Sequence, residues 1–325
     1  MVMAMTDAPI VTVIGGSGFV GRYIVQAMAR EGWRVRVGCR RPHEAHFVRP
    51  YGVVGQVEPI QCNIRDDASI ARIVAGAQVV INCVGVLFES GKNSFAATQA
   101  EGAARVARLA AAAGATRIVQ ISAIGADPES PSEYARSKAA GEAAVREAMA
   151  NATILRPSII FGTEDQFFNR FAKMARLMPV LPIVGGATRF QPVWVQDVAE
   201  ATMRVATGGA QPGVYELGGP NIYTFRALID MMLHAIRRRR LVIDMPFWMA
   251  RLQGSMLGML PDPPLTRDQV LLLERDNVVA EGARGFAELG IEPEAPEGII
   301  DSYLYAYRPY GQYASLTESR RAQDQ

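Results

Sequence analysis

Tyr134 and Lys138 stand four residues apart in Tyr-Ala-Arg-Ser-Lys, and that spacing puts a phenol and an ammonium on one face of an alanine-rich helix. A cation beside the phenol favours the phenolate and lowers its pKa, as a proton donor or acceptor in carbonyl chemistry requires. Ser122 ends an apolar run twelve residues earlier, and its hydroxyl could hold the oxygen of a substrate. A tyrosine four before a lysine also arises by chance. Its weight rests on the elements around it.

A second constellation lies near the start. Gly15, Gly18 and Gly21, with Ser17, Phe19 and Val20 between them, follow the β-branched apolar run Ile10 to Ile14 and precede a helix from Tyr23 to Arg30. Gly15 permits a sharp turn, Gly18 lets backbone N–H groups approach a pyrophosphate, and Gly21 lets the helix pack close to the strand. The helix N-terminus adds orphan donors and a partial positive charge. A plain tight turn is the competing reading, but strand, helix and a second strand (33–38) all fall where a phosphate loop needs them. That second strand ends at Arg40 and Arg41 with no acid. A cation there accommodates a 2′-phosphate, whereas an acid would accept from a 2′-hydroxyl, so the pair points to NADPH over NADH. Two solvated loop arginines are the alternative.

The segments that must position these groups alternate. Strand patterns over 57–62, 79–84 and 117–122 are separated by helical patterns over 69–74 and 96–113, with Asn63 and Ile64 after the third strand and Val84 and Gly85 after the fourth. This alternation predicts an α/β fold with a doubly wound parallel sheet. A short polar residue such as Asn63 is well placed for an adenine edge.

With 49% apolar residues in 325, the chain can bury one large core or two. A net charge of +2 without a basic, aromatic-interleaved stripe predicts no nucleic-acid partner. Cys39, Cys62 and Cys83 are odd in number and lack metal-ligand spacing, and only His43, His46 and His234 are present, so reduced thiols and no metal are expected. The first nine residues have neither the apolar core of a signal peptide nor an arginine-rich transit pattern, and no run approaches a membrane-spanning length.

Together these motifs resemble the short-chain dehydrogenase/reductase superfamily of the extended, epimerase-like kind. The stretch from Ile154 to Gly162 looks like its sixth strand, with Arg156-Pro157 beside the nicotinamide. Further matches, Thr163 to Phe171, Gln191 to Val198, Tyr215 to Pro220, Pro261 to Val270 and Asp276 to Val279, resemble the nucleotide-binding accessory subunits of respiratory complex I and their bacterial relatives. That resemblance spans about 9–300. It implies a firmly held NADPH and a peripheral position on the cytoplasmic side of the respiratory membrane. It also implies other complex I subunits as partners, and no established turnover. Gly15, Ser17, Gly18, Phe19 and Gly21 would form the phosphate loop and Arg40 the 2′-phosphate contact. Asn63 and Ile64 would line the adenine pocket, Val84 and Gly85 the central loop, and Tyr134 and Lys138 would meet the ribose and nicotinamide. Asn63 stands where the superfamily more often has an acid, and the segment before Tyr134 lacks the tyrosine–glycine turn of sugar epimerases. The alternative is a free NADPH-dependent reductase or epimerase acting on a small carbonyl or quinone through Ser122, Tyr134 and Lys138.

The expected organisation is a dinucleotide-binding domain over 1–162, also receiving 187–220, and a smaller docking region over 163–325. In that region Phe167, Phe168, Phe171, Met174, Leu177 and Met178 read as core or as a partner surface. Arg237 to Arg240 read as a solvated helix cap. The run 246–260, with Trp248, Met249 and Leu252, reads as core, as a subunit groove, or as a face lying on anionic lipid. The tyrosine-rich tail from Tyr303 reads as draped over a partner or disordered.

Overall fold

The computed structural model describes residues 8–257, 263, 265–309 and 311. The first seven residues, the side chains of Met256 and Leu257, Met259 to Asp262, Pro264, Tyr310, Tyr313 and the rest of the tail lie outside it, and with them the expectations placed there.

The described chain forms two units. The first runs to Pro157 and also takes in Val195–Leu217 and Val279–Glu292. Its elements alternate as the sequence pattern requires: β1 Ile10–Ile14, α1 Phe19–Arg30, β2 Arg34–Cys39, β3 Val57–Gln61, α2 Asp67–Val74, β4 Val79–Asn82, α3 Glu101–Ala112, β5 Arg117–Ile121, α4 Glu133–Ala148 and β6 Thr153–Pro157. With a seventh strand, Gly213–Leu217, they make one sheet in the order Gly213–Leu217, β6, β5, β4, β1, β2, β3. Every pairing is parallel. β1 sits centrally between β2 and β4, and Val11 and Val13 are fully buried, as a strand covered on both faces demands. The order reverses beside β1, the switch point where such sheets bind ligands outside their carboxyl ends.

Three local features differ from the sequence expectation. The helix over 96–113 opens as a wide π turn, Ala96–Ala100, before α3. The strand expected over 154–162 breaks at Ser158, and Ile160–Phe161 belongs to the second unit. The Ser158 hydroxyl bonds the backbone and side-chain oxygens of Asn277, a tie 119 residues away that no local pattern could show. The first unit also gains Val279–Glu292. That segment is bound through the Glu216 N–H to the Arg284 carbonyl at 2.8 Å, the Ala280 N–H to the Glu216 carboxylate at 2.9 Å, and Arg284 stacked 4.7 Å over Tyr215.

The second unit comprises Ser158–Trp194, Gly218–Val278 and the chain from Pro293. Its core gathers Phe161, Phe168, Leu228, Ile229, Met232 and Leu304, with Phe167, Phe171 and Met174 packed against it. The phenylalanine-rich face is thus core, while Leu177 at its end is 71% exposed. Helix Phe247–Leu257 buries Ala250 and leaves Trp248, Met249 and Leu252 exposed. The start of the tyrosine tail is packed, contrary to the draped or disordered reading. Tyr303 is buried and donates to Asp165 at 2.7 Å, and Tyr307 donates to Asn169 at 3.0 Å.

Candidate functional site

The loop between β1 and α1 is shaped by its glycines for three separate reasons. Gly15 adopts φ 81° and its N–H bonds the Gly38 carbonyl at 2.8 Å, a left-handed turn that a side chain would strain. A Cβ on Gly21 would come within 2.3 Å of the Gly15 carbonyl oxygen, so helix and loop touch only because it is absent. Gly18 is different. Its φ of −75° suits any residue, and a Cβ there would have the Gly15 oxygen as its sole neighbour within 4 Å, at 3.2 Å. Backbone strain does not require glycine there, and beyond that one tight contact no other atom lies within 4 Å, which fits room kept for a ligand above the loop. No side chain caps the N-terminus of α1 and no acid lies in its first turn, where Phe19 and Val20 are half-buried, so its first amides remain available to an anion. Arg22 reaches back to the carbonyls of Gly18 at 3.3 Å and Ser17 at 3.4 Å, bringing a cation to the loop.

At the end of β2 the two arginines part. Arg41 pairs with Glu44 at 2.6 Å on the surface. Arg40 is exposed and has no ion pair among the described residues, so of the two it is the guanidinium available to a phosphate monoester. Beyond β3 the Asn63 side chain accepts the Arg65 N–H at 3.2 Å, forming a local turn that leaves the residue exposed. Ile64 is buried against Gly102, where a Cβ would lie 3.0 Å from its side chain.

Beyond β4, Val84 donates its N–H to the Asn82 side chain at 3.1 Å, and Gly85 lies exposed directly over Lys138, whose Nζ would sit 3.2 Å from a Cβ there. Gln99, in the π turn, donates to the Val86 carbonyl at 2.9 Å and keeps a buried Oε1 with no partner, an unmet acceptor beside the same loop.

Ser132 caps α4 by accepting the Ala135 N–H at 3.2 Å, which sets the helix phase. In that phase Lys138 is buried. Desolvation pulls its pKa down to about 8, opposed by the negative potential of Glu142 and Cys83. Its Nζ donates to the Ile121 carbonyl at 3.4 Å and lies 5.7 Å from the Tyr134 ring centroid, and Phe95 packs edge-on to that ring at 5.8 Å. Tyr134 and Lys138 are therefore neighbours at the carboxyl edge of the sheet, with Gly85 above them. Ser122 faces elsewhere. Its hydroxyl donates to Glu142 at 2.5 Å, and the same carboxylate is gripped by Arg156 at 2.9 and 2.7 Å. Arg156 extends to Glu216 at 3.4 Å, so a chain of four polar side chains, buried at Ser122 and Glu142 and half-buried at Arg156 and Glu216, links β5, α4, β6 and the outer strand.

Pro157 is buried at the end of β6. The sequence reading missed Glu142. Its signal was present: positions 135, 138, 142 and 145 form the inward stripe of α4, and a glutamate on that stripe needs a buried partner. Burial raises the thiol pKa of Cys39, and that of Cys62 and Cys83 to about 12, so these cysteines are weak nucleophiles.

The model of the NAD dependent epimerase/dehydratase family matches residues 11–218. A mitochondrial protein of Arabidopsis thaliana, NADH dehydrogenase (ubiquinone) 1 alpha subcomplex subunit 9, is 34% identical over 96% of this chain and 81% of its own length. A ceramide reductase of Caulobacter vibrioides is 35% identical over 70% of this chain and 80% of its own. Among solved structures, an NADPH-dependent quinone oxidoreductase of Escherichia coli, complexed with NADPH, superposes with TM-score 0.72 at 18% identity, covering 91% of this chain and 99% of that one. At that identity the likeness is one of fold.

Proposed function

Since this chain belongs to the NAD dependent epimerase/dehydratase family, and within it to the family of the alpha-subcomplex subunit 9 of NADH dehydrogenase, we propose that it is a nucleotide-holding accessory subunit of a respiratory NADH:ubiquinone oxidoreductase. The observation that carries the non-catalytic part is the contrast within one site. Around Gly18 the glycine loop leaves a would-be Cβ the Gly15 oxygen as its one neighbour within 4 Å, which supports a place for phosphate, whereas the Ser122 hydroxyl is bound inside the protein by Glu142.

A nicotinamide dinucleotide fits the residues present. The α1 N-terminus with Gly15, Ser17, Gly18 and Gly21 would take the pyrophosphate. Asn63 and Ile64 would line the adenine, and Val84, Gly85, Tyr134, Lys138 and Pro157 would meet the nicotinamide half. Arg40 supports NADPH in particular, because among the described residues no carboxylate pairs with its guanidinium, Glu44 being taken by Arg41. When bound, the nicotinamide supplies a hydride donor or acceptor. In the subunit reading, Lys138 and Tyr134 orient the ribose and exclude water, and the nucleotide acts as a structural ligand.

The partners are other subunits of the complex, and the place is the cytoplasmic side of the respiratory membrane, held peripherally. No helix among the described residues is long and apolar enough to cross a membrane. The exposed Trp248, Met249 and Leu252 support contact with membrane lipid at its edge. The deciding experiment is native purification from membranes of the source organism. Co-migration with the respiratory complex is expected, and a small soluble species alone would overturn the proposal.

The similarity to a ceramide reductase and the lowered Lys138 pKa favour a second reading, a free NADPH-dependent reductase. In the subunit reading Tyr134→Phe changes nucleotide affinity modestly and leaves respiratory activity close to wild type. A loss of hydride transfer of about 10²-fold, the size expected for a general acid, would instead establish the reductase.

A further inference from the structure

The second unit holds a basic cleft that the nucleotide site does not use. Leu233, His234, Arg237, Arg238, Arg239, Asp301 and Arg308 line a cavity of about 410 Å³, within the range of small-ligand sites. Among the described residues Arg238, Arg239 and Arg308 face one carboxylate there, Asp301, a local excess of positive charge that attracts an anion.

A helix cap does not account for these cations. The helix Phe225–Ala235 ends in a turn whose last carbonyls already have donors. The Arg237 N–H bonds the His234 carbonyl, the Arg238 N–H bonds that of Leu233, and Arg308 Nε bonds that of Ala235 at 2.8 Å. Arg237 takes φ 53° in that turn, the place where glycine is favoured, and among the described residues it is the one non-glycine at positive φ. Two guanidiniums are fixed by their Nε groups to opposite strands of chain: Arg238 to the Tyr307 carbonyl at 2.9 Å, and Arg308 to that of Ala235. Arg308 also meets Asp301 at 3.1 Å, with only 17% of its side chain exposed. Neither Arg238 nor Arg239 has an ion-pair partner among the described residues. Burial, then the charges of Arg240 and Arg176, destabilise the protonated form of Arg238.

We propose that this cleft is a binding site for a phosphate group, free or as the headgroup of an anionic phospholipid, taken by the outer edges of Arg238, Arg239 and Arg308 with Arg237 beside them. Guanidinium edges held at their Nε match the oxygens of a phosphate bidentately, with less entropy lost on binding than a mobile lysine would lose. None of these residues belongs to the proposed nucleotide site, whose phosphate-monoester contact is Arg40.

The test uses the full chain. Inorganic phosphate is titrated by calorimetry, and co-sedimentation is measured with vesicles of phosphatidylcholine, pure or with one-fifth phosphatidylglycerol. Arg239→Glu is the primary variant, because its side chain supports no backbone carbonyl. Arg308→Gln is the second, and Arg40→Gln the control for the other anion site. Saturable phosphate binding weakened at least about tenfold by Arg239→Glu, a change of about 1.4 kcal/mol, but unaffected by Arg40→Gln supports the site with free phosphate as ligand. Binding only to phosphatidylglycerol vesicles, lost with the same variant, supports the headgroup. No binding to either probe, or binding that neither cleft variant alters, overturns the proposal. Failure of NADPH to bind would leave this result standing.

Discussion

Arg40 and Arg41 look interchangeable in the sequence and are not so in the structure, because among the described residues Arg41 has a carboxylate partner and Arg40 does not. Arg40→Asp should weaken NADPH by about 1.5–3 kcal/mol, the worth of a charged hydrogen bond, and leave NADH little changed. Arg41→Ala should cost NADPH affinity no more than about 1 kcal/mol, as a surface pair is worth little. Dissociation constants for both nucleotides check this, and an unchanged preference in Arg40→Asp would refute the assignment. Lys138 carries a prediction about pH. Its pKa falls from 10.5 in the unfolded chain to about 8 when folded, so between these values the unfolded state holds the extra proton and stability rises with pH. Wild type should therefore gain about 3 kcal/mol relative to Lys138→Met between pH 8 and 10.5, from a shift worth 1.36 kcal/mol per unit. The difference is best read from denaturant curves of both proteins, because Cys62 and Cys83, raised from 9.0 to about 12, oppose the trend in each above pH 9. A flat difference would show that the amine is solvated.

Among elements, the β1–α1 turn was readable in advance because its causes are local: a β-branched strand, glycines at fixed intervals, a helix. The separate roles of Gly15 as the turn and Gly21 as the close approach were readable with it. Gly21→Ala should destabilise the nucleotide-free protein by about 1–3 kcal/mol through overpacking against Gly15. Gly18→Val, whose Cβ would meet the Gly15 oxygen at 3.2 Å and no other atom within 4 Å, should destabilise it less than Gly21→Ala does and abolish nucleotide binding. Melting curves, and nucleotide released on denaturation, separate the two; a full complement of nucleotide in Gly18→Val would move the site elsewhere. Tyr134 and Lys138 were equally legible, since one helical turn brings them together. Ser122 was not. Its partner is on α4, and the carboxylate it meets is fixed by Arg156 from β6, so the direction of one hydroxyl depends on three elements. The same holds for Tyr303 and Tyr307, which a reading of the tail alone leaves loose but which find Asp165 and Asn169 138 residues away. Contacts at that separation leave no periodic trace in the chain.

For the whole molecule, a nucleotide that binds only the folded state contributes RT ln(1 + [L]/Kd), about 4 kcal/mol at a thousandfold excess over Kd. That is a large share of the roughly 5–15 kcal/mol a domain possesses. Gly18→Val/Arg40→Asp should therefore lower the melting temperature in nucleotide-replete extracts and reduce the assembled respiratory complex on a native gel. Normal assembly with no nucleotide bound would remove the structural role. The path of the chain bears on the order of these events. It passes between the two units five times, and the first unit receives its last segment only at Glu292. During synthesis, β6 therefore waits as an open sheet edge while about 55 further residues are added before Gly213–Leu217 pairs with it, on the order of five seconds at ribosomal rates. A nascent chain with an unpaired apolar edge for that long is a client for chaperones, and a messenger truncated after β6 encodes a product that aggregates. The nucleotide half of this protein cannot mature before nearly all of it has left the ribosome.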